Sequence, residues 1–294
     1  IAKCIRNTGV KYVTLNPGAS FRGLHDSIVN YLGNVSPKII LCLHEEHAVS
    51  IAHGYAKVAE KPMGTILHSN VGLMHGSMAI FNAFCDRVPM LIFGATGPLD
   101  AKKRRPWIDW IHTSQDQASI IRNFIKWDNQ PGSTEASIEA IYRAANIAQT
   151  FPKGPVYVCF DTAIQEEKIN NKTIIPEFTK YEQIGNQFPS EKDIEEARKI
   201  LLKAKNPVIF FGRVSRSKKD WLNRVLLIEK LGATAFTDRK TGASFPTNHP
   251  MHKFPPLQFL LPKEVEFIKK SDVILSLDWV DLAGTLNQVW SKKI

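Results

Sequence analysis

Cysteine is scarce in this sequence. Four occur among 294 residues (Cys4, Cys42, Cys85 and Cys159), and none stands at CxxC spacing. That argues against a zinc ribbon or a dithiol redox motif. Cys42 and Cys159 lie in the runs "IILCL" and "VYVCF", which read as buried strands. Free buried thiols fit a reducing compartment, so a cytoplasmic location is expected. No apolar run reaches the length of a bilayer span, and no membrane contact is expected. Acidic residues fall short of basic ones, 28 against 38, leaving a net charge of +10. Such an excess suits a phosphate-bearing ligand or nucleic acid, and it is equally the solvated surface of an ordinary basic protein. The chain opens without Met, in a helical pattern, and stops soon after a strand. It is therefore expected to be a piece of a longer protein.

What is present is the material of a soluble globular chain of two domains, 44% hydrophobic and 22% charged. Residues 11–160 alternate strand and helix patterns. "KYVTLN", "KIILCL", "MGTIL", "PMLIFGA", "IKW" and "PVYVCF" read as strands. Between them lie the helical stretches 21–32, 45–58, 72–84 and 134–149, with a shorter one at 117–124. Short apolar runs spaced by helices predict an α/β fold: a parallel sheet with helices on both faces. We expect a first domain at 1–164 and a polar linker at 165–189. An incomplete second α/β domain should follow at 190–294, its helix opening on the cap Ser190. In such sheets, ligands bind where strand carboxyl ends meet helix N-termini. "LNPGAS", "LHEEHA" and "LHSNVG" occupy that kind of position.

The second of these stretches is rich in ionisable groups. A zinc-binding helix of the usual kind sets two His four residues apart, with Glu after the first. His44 and His47 are three apart, and His47 and His53 are six apart, which turns them away from each other on a helix. His68 and His75 lie further along. No metal ligand is assigned in this chain. On the helical wheel, Glu45, Ala48, Val49, Ala52 and Ala56 share one stripe, while Glu46, Ser50, His53 and Lys57 share another. Glu45 thus faces the apolar side. Gly54 suggests close packing there too. A carboxylate on an apolar stripe must be paired or protonated. Burial raises its pKa and the helix N-terminus lowers it, which makes Glu45 a candidate acid/base group. A partly exposed first-turn carboxylate favoured by the helix dipole is the other reading, and the pattern alone leaves both open.

The ordered set "NPG", "HEEHAVSIAHGYAKVAEKP", "HSNVGLMHGSMAIFNAF" and "DRVPMLIFGA" resembles the thiamine diphosphate-dependent enzymes. The group in question contains acetolactate synthase, pyruvate oxidase and benzoylformate decarboxylase. The likeness continues through Asp116, Arg122, Lys126 and Trp127, then "KGPVYVCFD" and "LLKAKNPVIFFG". It implies a pyrimidine-binding domain followed by a truncated, Rossmann-like central domain. It also implies that Glu45 bonds the cofactor's aminopyrimidine and that His68 exchanges protons with a 2-keto acid. Pro17, Gly18, Ala19, Val71 and His75 would line the cofactor. Decarboxylation or carboligation is the implied chemistry, and a homodimer or homotetramer the implied assembly.

This sequence departs from the family in places. Ala19 stands where Ser or Gly is usual, Met74 where many members carry Gly, and His75 where many carry Asn. The family's Gly-Asp-Gly run, which holds Mg²⁺ and the diphosphate, does not occur in these 294 residues. The Mg²⁺ ligands are therefore expected in a further domain. "FFGRVSRS" lacks the Gly-x-Gly-x-x-Gly fingerprint, so FAD has no supporting motif. The basic, Trp-containing run "AKKRRPWIDW" reads as a solvated loop, or as one that orders at an interface or over the active site. The alternatives are a non-catalytic module of the same fold and a basic nucleic-acid-binding protein.

Overall fold

Among the described residues, six strands pair side by side in the order β2-β1-β3-β4-β6-β5, every neighbour parallel. They are β1 (Tyr12–Leu15), β2 (Lys38–Leu41), β3 (Met63–Ile66), β4 (Met90–Thr96), β5 (Asp128–Asn129) and β6 (Pro155–Asp161). Among the described residues, seven α-helices accompany them: α1 (Ala2–Asn7), α2 (Arg22–Asp26), α3 (Glu45–Ala59), α4 (Ser69–Cys85), α5 (Ile108–Ile111), α6 (Thr134–Gln149) and α7 (Thr162–Glu166). This computed structural model describes residues 1–181, 188–256 and 258–290.

Strand side chains alternate between two faces. Leu91, Phe93, Ala95, Val156, Val158 and Phe160 join Ile5, Leu24, Ile138 and Ile141 from α1, α2 and α6. Met90, Ile92, Tyr157 and Cys159 join Val49, Ala52, Leu73 and Ile80 from α3 and α4. This is the parallel sheet covered on both faces that the patterning predicts. β2 departs from it: as an edge strand it leaves Lys38 and Leu41 exposed. The chain reverses direction across the sheet between β1 and β3. The loops after β1, β2 and β3 therefore emerge together at the carboxyl end.

Several boundaries differ from expectation. Residues 19–31 form consecutive short helical segments that end in a π-helical turn, in place of one regular helix. α4 starts three residues early, at Ser69. The strand expected at "IKW" is displaced to Asp128–Asn129, because Lys126 and Trp127 already lie along β6, with Lys126 N–H donating to Pro155 O. Gly54 is a correction: a Cβ there would meet nothing within 4 Å, so the glycine serves no close packing. Residues 165–181 are not a free linker. α7 covers their start, and Ile175, Phe178 and Tyr181 pack on the first core. Tyr142 Oη donates to Pro176 O, and Asn146 Nδ2 donates to Tyr181 O.

Contacts divide the chain into two compact units, Ile1–Asn186 and Gln187–Ile294. The second has a parallel sheet in the order β8-β7-β9: β7 (Pro207–Phe211), β8 (Thr234–Thr237) and β9 (Val273–Leu277). Its helices are α8 (Glu191–Lys203), α9 (Lys218–Leu231), α10 (Pro262–Lys269) and α11 (Leu282–Trp290). Ser190 caps α8 in a reciprocal box with Asp193, and Gly232 ends α9 in the left-handed region. α8 has no fully buried residue, and every residue of β9 is only half-buried.

Candidate functional site

His44 is the extended N-cap of α3, and its Nδ1 accepts the Glu46 N–H at 3.1 Å. The next residue, Glu45, opens the helix. The residues α3 buries are Glu45, Ala48, Val49, Ala52 and Ala56, the stripe read from the wheel. Glu45 is only 5% exposed. Burial pushes its carboxyl pKa up. Hydrogen bonds from Asn16, from its own backbone N–H and from His75 outweigh that and hold it below the ordinary value. His75 Nδ1 lies 3.4 Å from Glu45 Oε2. Opposite the carboxylate stands Gly72 of α4. A Cβ at Gly72 would lie 3.1 Å from Glu45 Oε1 and 3.3 Å from His68 Cβ. The missing side chain keeps the space between Glu45 and His68 open.

His68 ends the loop after β3 and is the N-cap residue of α4. Its Nδ1 lies 2.8 Å from Ser20 Oγ and 3.5 Å from the Ser20 backbone nitrogen. A Cβ at Gly18 would lie 2.5 Å from His68 Cβ and Cγ, so glycine is required for the Pro17-Gly18 turn to reach this imidazole. Ser69 turns the chain into α4 with φ of +40° while fully buried. Three hydrogen bonds hold it there: its N–H to Ser20 Oγ, and its Oγ–H shared between Asn70 Oδ1 and His112 O. The His112 ring lies 4.6 Å from that of His68, centroid to centroid. Burial, and then the charge of His112, lower the His68 pKa, and Glu45 partly opposes them.

His44, Glu45 and His75 bring ligand-type atoms within 4.8 Å of one another. Yet the imidazoles of His44 and His75 are stacked at 5.0 Å with planes only 9° apart. Ring nitrogen lone pairs lie in the ring plane, so parallel rings aim them in parallel planes and not at one ion. The Nδ1 of His44 is also spent on the cap. His53 turns to the far end of the helix, where it and Lys57 hold Asp86. Glu46 and His47 are exposed. Pro17 and Ala19 are exposed beside Gly18, Val71 is half-buried on the first turn of α4, and His75 is exposed one turn on.

Asn16, Ser20, Gly72 and His112 were not singled out by the sequence. Asn16 and Ser20 flank the Pro-Gly turn that was. His112 follows the basic run, whose far end docks on α4: Asn70 Nδ2 donates to Ile111 O, and Arg105 is forked onto the buried Asp109. Trp107 and Trp110 stay exposed. The residues of the Asp116-to-Trp127 motif are structural. Arg122 bridges Asp116 and Asp128, Lys126 Nζ donates to the Ile147 and Thr150 carbonyls at the end of α6, and Arg143 lies over Trp127.

Residues 1–120 match the family described as thiamine pyrophosphate enzyme, N-terminal TPP binding domain. The large subunit of acetolactate synthase from Haemophilus influenzae is 28% identical over 217 residues, 72% of this chain and 36% of that protein. Benzoylformate decarboxylase from Pseudomonas aeruginosa is 24% identical over 216 residues, 72% of this chain and 39% of that protein. Among solved structures, a thiamine diphosphate-dependent 4-hydroxybenzoylformate decarboxylase from Rhodococcus jostii superposes with a TM-score of 0.77 at 21% identity. It covers 94% of this chain and 50% of that one. The chain therefore spans between 36% and 50% of the length of these three proteins. Through residues 1–120 it is therefore similar to the N-terminal domain of the thiamine diphosphate-dependent enzymes.

Proposed function

We propose that this chain supplies the pyrimidine side of a thiamine diphosphate site in an enzyme that decarboxylates 2-keto acids or joins them, in the manner of acetolactate synthases. One observation carries the reading: Glu45 is buried and ionised opposite a wall that lacks a side chain, Gly72. A flat, nitrogen-containing ring fits there. One carboxylate oxygen would meet a ring nitrogen, and Gly72 and Gly18 would leave space for close approach. When bound, the cofactor supplies a nucleophilic carbon and an electron sink. The chain's own part is different. Glu45 holds or shares a proton with the ring nitrogen, and Asn16 orients its carboxylate. Pro17, Gly18, Ala19 and Val71 shape the wall. His75 shields the outer carboxylate oxygen, and His68 faces the reacting end.

Mg²⁺ and the diphosphate are assigned to a separate domain with its own acidic ligands, in keeping with the absence of a Gly-Asp-Gly run here. The enzyme is assigned a homodimeric or homotetrameric form. Met74, Met78 and Phe81, 52%, 57% and 41% exposed, form an apolar stripe on α4 beside the site, which supports association on that face. The test is to reconstitute the chain with a diphosphate-binding domain and Mg²⁺ and to measure CO₂ release from pyruvate and benzoylformate. Turnover of 2-keto acids is expected, and cofactor binding without any turnover would favour a non-catalytic module.

A further inference from the structure

His68 and His112 are adjacent imidazoles, and their partners fix which nitrogen of each carries the proton. At His68, two donors point at Nδ1: the Ser20 hydroxyl at 2.8 Å and the Ser20 N–H at 3.5 Å. The hydroxyl oxygen already accepts the Ser69 N–H at 3.2 Å, which leaves its own proton to donate. Nδ1 of His68 is therefore an acceptor, and the neutral ring carries its proton on Nε2. At His112 the reverse holds. Its Nδ1 lies 2.9 Å from the Ile108 carbonyl oxygen, which can only accept. Nδ1 of His112 therefore carries the proton, and Nε2 presents a bare lone pair. The rings stand 4.6 Å apart and tilted by 53°.

We propose that the two histidines divide the work of the site: His112 Nε2 is the nitrogen that takes up and returns a proton, and His68 is a neutral hydrogen-bond donor through Nε2–H. Giving up the Nε2 proton from neutral His68 would leave an imidazolate, which is prohibitive. Protonating its Nδ1 would break the Ser20 contacts. His112 has neither obstacle. Its Nε2 can bind a proton from a substrate hydroxyl or a water, become imidazolium, and return the proton later, with its Nδ1–H bond to Ile108 intact throughout. His68 meanwhile polarises a neighbouring oxygen. Burial and the facing charge of His112 favour the neutral form of His68, and Glu45 from α3 opposes them weakly. Asp109 and Arg105 face the pair from the loop, tied to each other. The use of the pair rests on the keto-acid reading above, but the tautomers do not.

The test is two-bond ¹H–¹⁵N correlation NMR on the chain labelled with ¹⁵N-histidine, without cofactor. His68 is expected to show Nε2–H and to stay neutral below the pH at which a free imidazole is half protonated. His112 is expected to show Nδ1–H. Ser20→Ala should raise the His68 titration and mix its tautomers. His112→Gln should raise the titration while leaving the tautomer unchanged. Nδ1–H on His68, or Nε2–H on His112, would overturn the division. In the reconstituted protein, His112→Gln should lower turnover by about 10²–10⁴-fold and flatten its pH profile. An unchanged profile there, with the NMR result as expected, would contradict the keto-acid use and leave the tautomers standing.

Discussion

Glu45 and His68 are each pulled in two directions, and the balance differs. For Glu45, partners outweigh burial, and the folded-state pKa lies below the ordinary 4.5. The stability this contributes is full above 4.5 and is lost as pH falls through the lowered folded value. For His68, burial and a facing charge win, and the folded-state pKa lies below 6.5. Unfolded chains bind the proton first, so this stability is full above 6.5 and is lost as pH falls towards the lowered value. His68→Gln should therefore flatten the dependence of the urea midpoint on pH just below 6.5, and Asn16→Ala should raise the Glu45 titration seen by carboxyl ¹³C NMR. A steep dependence surviving in His68→Gln would assign the proton uptake elsewhere. Glu45 was legible in the sequence because helical period alone puts it on the apolar stripe. Asn16, Ser20 and His112 were not, because they reach the site from two separate segments, one after β1 and one after α5, whose meeting is a product of strand order.

At the scale of elements, period fixed the faces of α3 and α6 but not the identity of their neighbours. Gly54 stands nine residues after Glu45, about two and a half turns on, and so on the opposite, solvent side. Its expected packing role failed for that reason. With open space where a Cβ would go, Gly54→Ala should stabilise the first unit by about 1 kcal/mol, read from the urea midpoint. Gly94 in β4 is the converse. A Cβ there would run into the hydroxyl of Tyr157, which is fully buried and accepts a hydrogen bond from Gln117. Gly94→Ala should destabilise by about 1–3 kcal/mol through overpacking. A neutral result would mean that β4 and β6 can slide apart. Strand "IKW" was placed too early: Lys126 and Trp127 do bond to β6, but the regular pairing falls on the polar Asp128–Asn129, which a count of apolar residues does not detect.

On the scale of the whole molecule, the parallel α/β layering was legible throughout. The stretch that follows β6 was not. Residues 165–181 are polar and turn-rich, yet Ile175, Phe178 and Tyr181 anchor them on the first core. Scattered apolar residues in a polar stretch carry no period to betray them. On the proposed reading this chain's residues meet the pyrimidine ring, and its sequence contains no Gly-Asp-Gly run to hold a diphosphate. Calorimetry with thiamine diphosphate and Mg²⁺ on residues 1–294 alone should therefore give weak or undetectable heat, and tight Mg²⁺-dependent binding would place diphosphate ligands within this chain. The most direct test concerns Glu45. In the chain reconstituted with a diphosphate-binding domain, the quantity to measure is the exchange rate of the proton on the reactive thiazolium carbon of the bound cofactor, for wild type and Glu45→Gln at saturating cofactor. The account predicts a loss of about 10²–10⁴-fold in the variant. Equal rates in the two proteins would contradict it.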